Sequence, residues 1–299
     1  MRKIFPVLML LLLLGACQVD DAVNLPDNGT NDEFVIGKGV VTFTGYAPLS
    51  HKPIRVHYYI PSGGDPATMP VLFVFPGTER NADDYLGAWI PECTQRKVMA
   101  FALEFPKSDY ASADYIEGAL FDGAVERDEK DWSFSLIDPL FLHIRESLGG
   151  SQTAYDIWGH SAGAQFVHRF MLFKSSPYLR TGVSANPGWY TLPDCNKSYP
   201  YGLKGTSFAN ENTQRRFFSK KLIVALGKAD VVVDSNLNTS AGANAQGANR
   251  YARGLYFWEE SNRLANQTGT ALLWNKLEVP GVGHEYKKMV SASVSLLFP

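Results

Sequence analysis

The sequence predicts an α/β domain, with a mainly parallel central sheet covered by helices on both faces. Three observations carry this expectation. Short β-rich runs alternate with stretches of helical period through most of the chain, the pattern of repeated strand–helix–strand units. Val71-Leu72-Phe73-Val74-Phe75 is continuously apolar and stops at Pro76-Gly77, as a strand buried on both faces should. From residue 35 to residue 299 there is enough chain for one such domain, and no shift in composition marks a second.

The elements follow in order. Residues 39–45 and 54–60 alternate with period two, Ile54, Val56, Tyr58 and Ile60 against Arg55, His57 and Tyr59, which predicts an antiparallel pair at one edge. Strands are expected over 71–75 and 98–105. Residues 131–149 carry Phe134, Ile137, Leu140, Phe141, Ile144 and Leu148 at helical spacing, closed by Gly149-Gly150. A strand over 153–158, a helix over 162–173 and a short strand over 182–186 come next. The last strands are expected over 221–226 and 271–279, with a helix over 251–266 between them and a final helix over 286–297. Residues 234–250, rich in Asn, Ala, Gly and Ser, offer no apolar face and are expected to form a mobile surface loop.

The N-terminus reads differently. Met1-Arg2-Lys3 precedes an apolar run from Val7 to Leu14 and then Gly15-Ala16-Cys17, the layout of a signal peptide. The run is shorter than the roughly 20 residues of a spanning helix, and no later stretch is longer. Leu14-Gly15-Ala16-Cys17 resembles the lipobox of bacterial lipoproteins. That resemblance implies a signal over residues 1–16, lipidation at Cys17 and attachment to the cell envelope. Gln18 and Asp20-Asp21 favour the outer membrane. Residues 17–34 then form a polar tether. The charge is nearly balanced, 28 Lys+Arg against 30 Asp+Glu, without like-charge blocks, so a nucleic-acid partner is not expected. Cys93 and Cys195 could pair outside the cytoplasm, but only a distance can decide that.

Gly159-His160-Ser161-Ala162-Gly163 lies between a predicted strand and a predicted helix. This is where a nucleophile elbow belongs: a tight turn with small neighbours that presents the serine hydroxyl at a helix N-terminus. In the α/β-hydrolase fold the partners follow in the order serine, acid, histidine. Of the six histidines, only His168 and His284 come after Ser161. His168 lies about two turns along the same helix, roughly 10 Å away, which leaves His284, in the turn Pro280-Gly281-Val282-Gly283-His284, as general base. Among the intervening acids Asp230 stands just past a predicted strand end, where side chains reach the site crevice; Asp234 is the alternative. The backbone N–H groups of Thr78 and Ala162 are the expected oxyanion donors. Neither a metal nor a cofactor is expected.

The chain resembles the polyhydroxyalkanoate depolymerase-like and feruloyl-esterase-like branch of the α/β-hydrolases. The resemblance rests on Phe75-Pro76-Gly77-Thr78-Glu79-Arg80-Asn81-Ala82-Asp83-Asp84-Tyr85, the Ser161 elbow, Gly227-x-x-Asp230-x-x-Val233 and Gly283-His284. Where that family usually begins its first segment with His-Gly, this chain has Pro76. The resemblance implies a substrate wall at Asn186-Pro187-Gly188-Trp189-Tyr190, with Trp189 and Tyr190 as a stacking platform. The expected activity is hydrolysis of carboxylic esters, from polymers or plant cell walls, through an acyl-enzyme. A peptidase or amidase with the same three residues, and an inactive hydrolase scaffold that only binds, are the alternatives.

Overall fold

The computed structural model describes residues 34–299. The expected signal peptide, Cys17 and all of the tether but its last residue lie outside the described residues. Phe34 is a correction to the tether's boundary. It is 7% exposed and packs edge-on to Tyr58 and Phe101, with centroids 5.1 and 5.5 Å away.

In chain order the strands and helices are β1 (Gly37–Phe43), β2 (Ile54–Ile60), β3 (Val71–Phe75), α1 (Ala82–Arg96), β4 (Met99–Glu104), α2 (Ser112–Ile116), β5 (Phe121–Asp122) and β6 (Val125–Glu126). They continue as α3 (Ile137–Ser147), β7 (Tyr155–His160), α4 (Ala162–Phe173), β8 (Leu179–Ala185), α5 (Glu211–Phe218), β9 (Lys221–Gly227), α6 (Ala241–Asn244), α7 (Arg250–Gln267), β10 (Asn275–Val279) and α8 (Tyr286–Leu297). Eight strands form one sheet in the order β1-β2-β4-β3-β7-β8-β9-β10. β1 and β2 pair antiparallel, as do β2 and β4, and every pairing from β4 to β10 is parallel. The predicted fold class is therefore the observed one.

The period of two in a strand distributes side chains to both faces of this sheet. Phe73 and Phe75 of β3 enter a large aromatic core with Phe166 of α4 and Phe257 of α7, while Leu72 and Val74 enter a second core under α1 and α8 with Trp89 and Met289. All twelve residues of α4 are buried, because it packs on the sheet and is itself covered by α2 and α5.

Three expectations change. Helix α1 is not among the elements read from the sequence, although its buried positions 82, 85, 86, 89 and 93 have helical spacing; Pro91 inside it obscures the pattern. The helix expected over 131–149 starts only at Ile137, after two 3-10 turns, and Pro139 is tolerated there because first-turn N–H groups need no intrahelical acceptor. The stretch expected to be a bare loop holds α6 and buries Leu237, Ala243 and Gln246. The buried Arg253 guanidinium ties it down, donating to the carbonyls of Asn238 and Gly247 at 2.8 and 2.9 Å.

Candidate active site

Ser161 links β7 to α4 with φ 57° and ψ −116°. A non-glycine residue in that region typically stores 1–3 kcal/mol of strain, and the surroundings hold it there. Its N–H donates to the Ala185 carbonyl at 3.0 Å and its carbonyl accepts from the Gln165 N–H at 3.1 Å. The two glycines have packing reasons: a Cβ on Gly159 would overlap the Gly163 carbonyl, and one on Gly163 would overlap the Phe75 carbonyl. The elbow can therefore lie directly against the end of β3.

The turn after β3 forms the wall beside the serine, with the Cβ position of Gly77 3.6 Å from Ser161 Cβ. Tyr115 supports this turn from α2, donating its hydroxyl to the Pro76 carbonyl at 2.8 Å. Among the described residues no protein acceptor takes the N–H of Thr78 or of Ala162, the first residue of α4.

Asp230 lies in the turn past β9, its N–H donating to the Gly227 carbonyl at 3.0 Å. It is 2% exposed, and its Oδ2 is 2.7 Å from His284 Nδ1. The carboxylate can only accept, so Nδ1 is the donor, and in the neutral ring Nε2 is the nitrogen that keeps its lone pair. The two loops are joined at several points. Ala229 N–H donates to the Val282 carbonyl at 2.9 Å. The Asn186 amide accepts from Gly227 N–H at 2.7 Å and donates to the Gly283 carbonyl at 2.9 Å. Gly227 is required here, since a Cβ would come within 2.5 Å of the Val282 carbonyl oxygen.

Asp234, the alternative acid, is held elsewhere: Arg250 donates to both its oxygens at 2.8 and 2.9 Å. These bonds hold its carboxyl down at about 2. Arg250 is itself 1% exposed and sits 3.7 Å from Asp230 Oδ1. His168 is fully buried, Nδ1 donating to the Ala164 carbonyl at 3.0 Å and Nε2 accepting from Thr191 N–H at 3.1 Å.

Trp189 and Tyr190 are corrections. Both are buried, at 4% and 0% exposure. The Arg169 guanidinium covers Trp189 at 4.0 Å, and Tyr190 stacks on Phe257 at 4.3 Å. Large aromatics beneath a loop gain more from packing than from water, so neither offers an open stacking face.

Sequence reasoning gave His160, Tyr85 and Arg250 no role, and placed Asn186 in a substrate wall rather than between the loops of Asp230 and His284. The His160 ring is 4.5 Å from that of His284, and its Nδ1 is 3.0 Å from the Tyr85 hydroxyl. Burial, then the neighbouring His284 and Arg250, push its pKa well below the ordinary imidazole value, so it stays neutral. Its position next to Ser161 was the available signal. A cavity of about 510 Å³ lined by Glu117, Leu120, Phe121, Tyr199 and Lys204 lies in the loops after β4 and β8. None of Ser161, Asp230 and His284 lines it.

No protein-family model and no curated protein matches the chain. Among solved structures, poly(aspartic acid) hydrolase-1 from Sphingomonas sp. KT-1 is 34% identical, with a TM-score of 0.85 over 89% of this chain and 100% of that one. The poly(3-hydroxybutyrate) depolymerase LpqC from Bordetella parapertussis is 30% identical, with a TM-score of 0.84 over 88% and 90% of the two chains. An S-formylglutathione hydrolase from Agrobacterium tumefaciens shares the fold at 15% identity and a TM-score of 0.55, over 89% and 95%. The chain belongs to the α/β-hydrolase superfamily, in the branch of the poly(3-hydroxybutyrate) depolymerase and the poly(aspartic acid) hydrolase.

Proposed function

We propose that the protein is a serine hydrolase that cleaves carboxylic esters from a polymer or plant cell wall. The observation that carries this reading is the 2.7 Å contact of buried Asp230 with His284, whose ring lies 4.5 Å from that of His160, the residue preceding the strained Ser161. His284 Nε2 takes the Ser161 proton as the hydroxyl oxygen attacks the ester carbonyl, and returns it to the leaving alkoxide. Asp230 holds the imidazole in the required tautomer and stabilises its cation. Asn186 keeps the two loops in register. The tetrahedral oxyanion is met by the N–H groups of Thr78 and Ala162; a donor of this kind is typically worth about 10²- to 10³-fold in rate. Water then repeats the sequence on the acyl-enzyme. The polymers named for the two similar hydrolases support a polymeric substrate.

Poly(aspartic acid) is a polyamide, so that same similarity favours a second reading, amide hydrolysis by the same three residues. Turnover of an ester and its matched anilide by one preparation separates the two. Attachment to the envelope through lipid at Cys17 belongs to the proposal as well, and a Cys17→Ala chain that stays with the membrane fraction would remove it. For the chemistry, Ser161→Ala should lower hydrolysis of p-nitrophenyl butyrate by at least about 10⁴-fold and abolish labelling by a fluorophosphonate. Full activity in that variant would overturn the reading.

A further inference from the structure

Arg80 ends the turn that begins at Gly77, its N–H donating to the Gly77 carbonyl at 3.0 Å. It adopts φ 58° and is only 6% exposed. Its guanidinium lies 3.7 Å above the Tyr115 ring, and Tyr115 in turn supports Pro76. Among the described residues this guanidinium has no hydrogen-bond acceptor and no carboxylate within 4.0 Å. The adjacent acid does not serve it, because Glu79 is bound to Lys107 at 2.8 Å. Nε is sealed from solvent without a partner, so the two Nη ends form the open edge of the group.

An unpaired buried cation is expensive, and stacking on one aromatic ring offsets only part of that cost. The other buried guanidinium groups among the described residues have hydrogen-bond acceptors, even where one nitrogen is left over: Arg250 has Asp234, Arg253 has three backbone carbonyls and the Asn244 side chain, and Arg169 has the Thr191 hydroxyl and the Ile116 carbonyl. Arg80 stands apart, and it does so three residues from Gly77, in the wall beside Ser161. A planar fork with a free edge fits a carboxylate in two parallel hydrogen bonds, and a single such cation matches a single negative charge.

The geometry points to Arg80 as a specificity-determining residue that binds a carboxylate carried by the substrate close to its scissile carbonyl. This rests on the proposed hydrolysis at Ser161. It narrows the substrate class to anionic acyl chains: monoesters of dicarboxylic acids, or polymer ends bearing a free carboxylate.

The test compares mono-p-nitrophenyl glutarate with neutral p-nitrophenyl butyrate in the full chain, for wild type, Arg80→Gln and Arg80→Lys. The ratio of their kcat/KM values, charged over neutral, should fall about ten- to a hundredfold in Arg80→Gln, mainly through KM. Arg80→Lys, which keeps the charge but loses the fork, should lie between. Equal losses on both esters would mean a purely structural role and overturn the assignment, as would an unchanged ratio. Calorimetric binding of glutarate to Ser161→Ala provides an arm without turnover. Tighter binding of glutarate than of its dimethyl ester, lost in Ser161→Ala/Arg80→Gln, supports the carboxylate site even if ester hydrolysis fails; equal binding of the two overturns it.

Discussion

At the scale of single residues, environment separates groups that look alike in sequence. Asp230 and Asp234 stand four positions apart, but Asp230 is sealed against His284 while the partly exposed Asp234 is held by the buried Arg250. Asp230→Asn should lower kcat/KM about 10⁴-fold, because an amide no longer enforces the tautomer that leaves Nε2 basic; Asp234→Asn should lower it far less. A pH-rate profile of both variants on one ester checks this. Stability has its own pH dependence. His160 and His168 are buried and stay neutral, with pKa values below the 6.5 of a free imidazole. Their contribution is therefore complete above pH 6.5 and shrinks as pH falls below it, where only the unfolded chain binds the proton. The carboxyl of Asp234 is lowered from 3.8 to about 2, so its contribution is complete above 3.8 and is lost as pH falls through about 2. The melting temperature should start to drop below pH 6.5, and the difference between wild type and Asp234→Asn should vanish between about pH 4 and about pH 2.

At the scale of elements, the strand-to-helix turn at Ser161 depends on close approach as much as on its own dihedral angles. Gly163→Ala drives a methyl group into the Phe75 carbonyl. Since both are backbone held by neighbours, roughly 1–3 kcal/mol of destabilisation is expected, seen as an earlier urea midpoint. Activity should fall with it, because the turn carrying Gly77 and Thr78 begins where β3 ends. The same scale shows what a linear pattern can carry. Strand β2 was legible as an unbroken period of two and β3 as a continuously apolar run stopped by Pro76-Gly77, and β7 and α4 were read on either side of the Ser161 turn. Residues 234–250 were misread because Leu237, Ala243 and Gln246 lack any period; they are buried by the scaffold formed by Arg253 and the Tyr190 backbone.

At the scale of the whole molecule, the sheet divides two cores that do not touch across it. Cys93 belongs to the core under α1 and α8, whereas Cys195 packs against the aromatic core on the other face. Both are free thiols. Reductant should therefore leave the melting temperature of the full chain unchanged; a fall on adding dithiothreitol would mean that a bond between them stabilises the fold. The aromatic core also explains the fate of Trp189 and Tyr190. After β8 the chain lays Trp189 against Arg169 of α4 and Tyr201, and Tyr190 between His168 of α4 and Phe257 of α7.

By itself the sequence determined the α/β class, the elbow at Ser161 and the short set of histidines and acids that could serve it. These are local patterns of period, small residues and chain order, and they survive in one dimension. Only the tertiary structure decided which acid meets His284, that Trp189 and Tyr190 are packed away, and that the Arg80 guanidinium has no hydrogen-bond acceptor among the described residues. Each of those outcomes depends on which distant segments share one small volume. Asp230 and His284 are 54 positions apart, and their meeting is set by the parallel β8–β9–β10 order and the contact of Gly227 with the Val282 backbone.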